Sequence, residues 1–328
     1  MKKYLIPESG RFYKANLHCH SNVSDGLWSP EEIKTRYMEN GYSVVAYTDH
    51  DVLIPHNDLS DESFIALNGL EFEINEDDSI ARSKKSCHIC MIALEEDNFN
   101  QPCYHRTKFV PDCSKDYWGQ VKFDESKPDF ERTYSHECIS RMMEEGRREG
   151  FFVTYNHPAW SLEGYSSYSG YNGMHAMEIC NYSCTYSGFS DYNEKEYDEM
   201  LRDGKRIFCV STDDNHNGNA DSFGGFTMIK ADELSYKAIT DALVSGAFYA
   251  SQGPEIESVW FEDGKIHIKC PENYDIVFST GIRRVWRFQN SREAAVPVFP
   301  EDIYVRITVT DKQGKHANTS AYFADQLL

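Results

Sequence analysis

The stretch ANLHCHSNVSDG, Ala15 to Gly26, begins as a short β-like run and ends in polar turn residues. It sets His18 and His20 one residue apart and follows them with Asp25. Residues i and i+2 of a strand face the same side, so two imidazoles at a strand end can grip one cation. H-x-H alone is equally the mark of two surface or capping histidines. The reading turns on whether the rest of the chain supplies further ligands.

Working outward, apolar β-rich runs recur and several stop at a ligand-type residue. YTDHD ends in His50, NGLEFE presents Glu71, NHPAW presents His157, and STDDNH presents Asp214 and His216, again two apart. In a parallel barrel such stops are the C-terminal ends of strands, where active sites are built. His88, in SCHICMIAL, precedes its apolar run. Either that strand begins earlier than the run suggests or it travels the other way.

Strands are expected near ANLHC, SVVAYT, FIALNGLEF, ICMIAL, FFVTYNH, AMEICN, RIFCVST and GGFTMIK, separated by helical or polar stretches. That alternation predicts a parallel α/β sheet or barrel. SPEEIKTRYMENG carries a capping box, with Ser29 at the N-cap, Pro30 at N1, Glu32 at N3 and Gly41 past the end. Further helices are expected from Ser135 to Arg148, and after Ser235 up to Gly246. A polar, aromatic-bearing insertion from Glu95 to Thr133 is long enough to be a lid. Beyond about residue 254 only short alternating runs remain, with Asp263-Gly264 as a hairpin signal. The expected division is 1–253 for an α/β unit and 254–328 for a small, sandwich-like all-β domain.

Composition narrows the function. The 328 residues include 53 acidic and 33 basic side chains, a formal net charge of −20, which disfavours a nucleic-acid polymer as partner. The N-terminal MKKYLIPESG has too short an apolar run for a signal peptide, and no stretch is apolar enough to span a membrane. The ten cysteines show no framework spacing, so free thiols in a reducing cytoplasm are expected.

Taken together, LHCHSNVSDG, YTDHD, GLEFE, CHI, NHP and TDDNH resemble the motifs of the polymerase-and-histidinol-phosphatase (PHP) superfamily of metal-dependent phosphoesterases, over residues 17 to 216. NHPAW, MEICN and YASQGPEI are similar to a branch with carbaryl-hydrolase-like members. The resemblance implies a distorted, TIM-like (β/α)7 barrel with two to three divalent ions. His18, His20, Asp214 and a bridging Glu71 would hold the first ion. Glu71, His88 and His157 would hold the second, and Asp25, His50 and His216 the third. Asp213 is offset by one from the family's D-x-H, so Asp214 is the expected ligand. A carboxylate at Asp25 admits zinc, manganese, iron or magnesium.

The chemistry expected of such a centre is hydrolysis of a small phosphomonoester or phosphodiester by metal-activated hydroxide, with Glu71, Asp214 and His216 as the central catalytic groups. Hydrolysis of a carboxyl ester, amide or carbamate stays open, as does a non-catalytic, metal-stabilised binding role. Arg82, Arg106 and Asn181 are candidate substrate contacts, with a solvated charged loop as the bland reading of the two arginines. Self-association through the β-domain is also open.

Overall fold

The computed structural model describes residues 2–77 and 84–328; Arg82 lies outside them. The strands β1 (Lys3–Tyr4) and β2 (Arg11–Asn16) precede helix α1 (Pro30–Glu39). Then come β3 (Val44–Tyr47), β4 (Ile65–Asn75) and β5 (Ser86–Ala93). Helix α2 (His136–Arg148) leads into β6 (Phe151–Tyr155), and the single turn α3 (Tyr165–Tyr168) into β7 (Ala176–Asn181). The turn α4 (Ser183–Tyr186) and helix α5 (Glu194–Arg202) precede β8 (Phe208–Thr212), followed by β9 (Phe226–Ala231), α6 (Tyr236–Ser245) and β10 (Phe248–Ser251). The rest is β11 (Ser258–Glu262), β12 (Lys265–Thr280), β13 (Val285–Pro297), β14 (Tyr304–Thr310), β15 (His316–Thr319), β16 (Tyr322–Phe323) and the turn α7 (Ala324–Leu327).

Local chemistry explains these boundaries. The Ser29 hydroxyl accepts the Glu32 amide at 3.3 Å, and the Glu32 carboxylate accepts the Ser29 amide at 3.0 Å, which starts α1 at Pro30. Helix α2 buries Cys138, Ile139, Met142, Met143 and Gly146 as one stripe. Strands β3, β6 and β7 are buried along their whole length; β3 and β6 are nearly unbroken apolar runs, whereas β7 also buries Glu178 and Asn181.

The fold is mixed α/β. β2, β3 and β4 pair in parallel, as do β6, β7 and β8. The expectation of uniform β/α units needs correction at β5, which runs antiparallel to both β4 and β6 and so joins the two parallel sets. This reversal explains His88: the start of β5 lies at the same end of the sheet as the C-terminal ends of its parallel neighbours. The hydrogen-bonded path is open, with β8 at one end, rather than a closed TIM barrel. It curls nevertheless, because inward residues of β2 to β8 (Ala15, Val44, Leu67, Ile92, Phe152, Ala176, Val210) share one apolar cluster. A parallel bridge between Cys19 and Asn215 draws the ends of β2 and β8 together. Ile239 and Leu243 of α6 join the same cluster, and Tyr236 and Thr240 donate to the Ala93 and Leu94 carbonyls, so α6 plugs the end opposite His88.

The C-terminal strands continue this sheet, since β15 pairs with β10 and β14 lies beyond it. The expected hairpin at Asp263-Gly264 joins β11 to β12, with Glu262 opposite Lys265. The apolar runs KIHIKC and DIVFST belong to one strand, β12, whose register shifts between Lys269 and Tyr274. None of the described helices is long and apolar enough to cross a membrane.

Candidate metal centre

At the end where β2, β3, β6, β7 and β8 terminate, their loops deliver a dense set of nitrogen and oxygen donors. His18 and His20 extend β2, and their Nε2 atoms lie 3.1 Å apart. His18 Nε2 is 3.2 Å from Glu71 Oε1 and 3.1 Å from Asp214 Oδ1. His20 Nε2 is 3.3 Å from Glu71 Oε2 and 3.0 Å from Asp214 Oδ1. Glu71 stands at the middle, with His88 Nδ1 at 3.1 Å, His157 Nε2 at 3.2 Å and His50 Nδ1 at 3.4 Å. Toward solvent, Asp25 approaches His216 Nε2 at 3.4 Å, His20 Nδ1 at 3.7 Å and His50 Nε2 at 3.8 Å.

Donor atoms that converge within 4.8 Å of one another form four overlapping groups among the described residues. They are His18, His20, Glu71 and Asp214; His20, Asp25, His50 and His216; His50, Glu71 and His88; and His18, His157 and Glu178. The grouping differs in detail from the expected one: His20 also reaches the outer set, and His50 joins Glu71 and His88. Asp213, the neighbouring carboxylate, instead accepts the amides of Phe223, Gly224 and Gly225 and the Tyr37 hydroxyl. It is spent on holding a loop.

The residues fit divalent cations. Nδ1 of His50, Nε2 of His88 and Oδ1 of Asp214 are buried and make no hydrogen bond. Orphaned polar atoms of this kind cost about 1–3 kcal/mol each unless something ligates them. Asp214 Oδ1 sits near two imidazole nitrogens without bonding either, an arrangement in which lone pairs face a common point. Without cations the cluster is electrostatically odd. Burial opposes charge on His20, but the adjacent Asp214 and Glu71 carboxylates outweigh it and raise its pKa to about 10. His88 is likewise raised, to about 9, as Glu71 overcomes burial. Burial and the charge on His20 instead lower His50 to about 4. Glu71 resists burial through His18 and His88 and is held well below the usual carboxylate range.

Backbone strain gathers here too. His157 and Asp214 adopt positive φ, 26° and 56°, a region most non-glycine residues avoid. Surrounding polar groups hold the ligands. Glu178 is fully buried; one of its oxygens lies 2.7 Å from His18 Nδ1 and accepts Thr212 Oγ1, while the other accepts the His157 amide. Asn156 donates to Glu71 at 3.0 Å. These orienting partners fix ring orientation and ligand basicity. The signal for Glu178 was present in the sequence: a carboxylate between Met177 and Ile179 in a buried strand needs a partner.

The expected substrate contacts fare differently. Asn181 is buried and donates to Asp214 at 3.1 Å and Glu178 at 2.9 Å, so it supports ligands rather than facing the cavity. Arg106 bonds Asp129 at 2.7 Å and the carbonyls of Glu125 and Lys127, and lines a separate cavity of about 460 Å³. The cavity above the donors is larger, about 810 Å³. Its wall includes Trp160, Tyr186, Ser183, Cys184 and the segment Pro111–Asp112–Cys113. Trp160 packs edge-on against the rings of His88 and His157, at 5.3 and 5.2 Å.

No family model matches the chain. A 5'-3' exoribonuclease of Haemophilus influenzae is 48% identical over 40 residues, a stretch covering 12% of this chain and 15% of that protein. Among solved structures, a two-domain protein from Bacteroides vulgatus, described as containing a predicted PHP-like metal-dependent phosphoesterase, superposes with a TM-score of 0.47 and 17% identity. That superposition covers 97% of this chain and 98% of the other. A protein from Bifidobacterium adolescentis described as a metal-dependent phosphoesterase gives a TM-score of 0.36 at 15% identity, over 65% of this chain and 89% of its own. An amidohydrolase from Chromobacterium violaceum gives 0.38 at 13%, over 63% and 89%. The structural neighbours include PHP-like metal-dependent phosphoesterases.

Proposed function

We propose that this chain is a PHP-type metal-dependent hydrolase that cleaves a small phosphomonoester or phosphodiester. The observation that supports this most directly is the donor cluster, in which three groups share His20, Glu71 or both at the floor of a roomy cavity. His18, His20, Glu71 and Asp214 would hold one cation, Glu71 with His88 and His50 or His157 a second, and Asp25, His50 and His216 an outer one. Divalent ions held there would lower the pKa of a coordinated water toward neutrality and offset charge on phosphoryl oxygens. Glu71 keeps the groups in register because both of its oxygens are engaged. Glu178 and Asn181 hold His18 and Asp214 in place. Trp160 shields His88 and His157 from bulk water on one side. In this reading residues 254–328 form a second, all-β unit that joins the metal-bearing unit through the β10–β15 pairing, and the substrate is a small phosphorylated molecule met in the cytoplasm.

A second reading has one observation in its favour. Among the described residues, the cavity wall contains Glu73 and Asp112 but no lysine or arginine. A wall of that sign suits a neutral carboxyl ester, amide or carbamate better than a dianion. The test is a panel of phosphate esters and carboxyl or carbamate esters assayed on protein loaded with manganese or zinc. Cleavage of a phosphate monoester or diester supports the first reading; turnover of carbonyl substrates alone replaces it with the second. Glu71→Gln is expected to abolish turnover of whichever class is cleaved, and a parental rate in that variant would remove Glu71 from its bridging role.

A further inference from the structure

We propose that the insertion spanning 95–133 braces the outer cation site, with Ser114, Gln101 and Arg132 as positioning residues for the loops that carry His50 and Asp25. The proposal rests on the reading that the donor cluster binds cations. The insertion was expected to be a lid; its Ser114, Gln101 and Arg132 side chains reach the four residues from His50 to Leu53. Ser114 Oγ donates to the His50 carbonyl at 2.6 Å. The Gln101 side chain donates to the Asp51 carbonyl and accepts the Leu53 amide, both at 2.9 Å. The Arg132 guanidinium pairs with the Asp51 carboxylate, both side chains being buried, and lies over the rings of Phe72 and Phe109 at 4.5 and 4.9 Å. Asp51 itself holds a positive φ of 57°.

An apolar contact reaches the second loop. Val121 of the insertion forms a small buried cluster with Val52 and with Val23, and Tyr104, Tyr117 and Trp118 pack against it. Val23 lies in the turn that carries Asp25. Asp25 and His50 both lie outside the named strands, and Asp25 keeps a third of its side chain exposed. Ordering two loops costs conformational entropy. An insertion that has already fixed them leaves less to be lost when a cation binds. The same segment places Pro111, Asp112 and Cys113 on the cavity wall beside Asp25, His50 and His216.

The experiment reads metal content rather than turnover. The full chain is loaded with Mn²⁺, desalted and analysed for metal per chain, and Mn²⁺ affinity is followed by titration with electron paramagnetic resonance detection. Ser114→Ala and Gln101→Ala are expected to weaken the loosest Mn²⁺ site about tenfold and to lower retained metal by one ion, leaving the site of His18, His20, Glu71 and Asp214 unchanged. Arg132→Met is expected to do so more strongly. Lys108→Ala, whose side chain pairs with Glu131 at the surface of the insertion, serves as the control and should bind Mn²⁺ like the parent. Should Arg132→Met fail to fold, the two milder variants decide the matter. Parental stoichiometry and affinity in folded Ser114→Ala and Gln101→Ala would overturn the brace while leaving the cluster intact. A parent protein that binds no Mn²⁺ would overturn the cluster reading and the brace with it.

Discussion

Gly26 shows how much of the site depends on single residues. A Cβ there would sit 2.2 Å from the His20 carbonyl oxygen, so the turn from Ser21 to Gly26 closes only around a bare backbone. Gly26→Ala is expected to displace Asp25 and lower metal retained per chain, read by elemental analysis, with little change in the far-UV circular dichroism spectrum. Glu178 works at the same scale. Its carboxylate faces His18 Nδ1 and so sets which ring nitrogen points at Glu71 and Asp214. Glu178→Gln keeps the shape and removes the charge. It is expected to weaken metal binding about 10- to 100-fold, as measured by competition with a chelator.

At the scale of elements, the junction of β6 and β7 holds a pH-sensitive contact remote from the donor cluster. His175 Nδ1 accepts the Val153 amide at 3.0 Å, and its ring stacks on Phe152. Burial, with help from Arg147, lowers its pKa to about 4. The unfolded imidazole takes a proton below about pH 6.5, whereas the folded one refuses it until about pH 4. Stability from this residue is therefore whole above pH 6.5 and drains away as the pH falls toward 4. The loss is about 3 kcal/mol. Denaturant melts of His175→Asn at neutral and acid pH should show a smaller acid-induced loss than the parent; an identical loss would remove His175 from the account.

For the whole molecule, the telling contact joins the C-terminal strands to a helix of the unit that carries the donor cluster. Arg306 of β14 is buried and bonds Asp198 at 2.7 Å and Glu194 at 2.6 Å, both on α5. Tyr192 adds a hydroxyl bond to Asn318 of β15 and stacks on His316. Removing one partner of a buried pair is costly because the others stay behind uncompensated. Asp198 and Glu194 keep some solvent, so Arg306→Met is expected to cost about 3 kcal/mol, at the lower end for such pairs. A urea titration followed by both tryptophan fluorescence and circular dichroism would measure it.

Features governed by neighbours along the chain were legible beforehand. The Ser29 capping box, the Gly246 stop, the Asp263-Gly264 hairpin and the β-runs ending at His18, His50, His157 and Asp214 follow from periodicities of two and 3.6 and from turn chemistry. The donor types at those ends were legible for the same reason, since a histidine or carboxylate after an apolar run is visible in one dimension. Tertiary structure alone decided what depends on pairing between distant segments. It turned β5 antiparallel and so brought His88 to the ligand end. It joined Glu178 to His18 across 160 residues and Arg132 to Asp51 across 81. It also gave Arg106 a partner in Asp129 and set Asn181 against Asp214 and Glu178. A side chain's chemistry is written in its own residue, but its partner is chosen by strand register and loop closure, which no local pattern encodes.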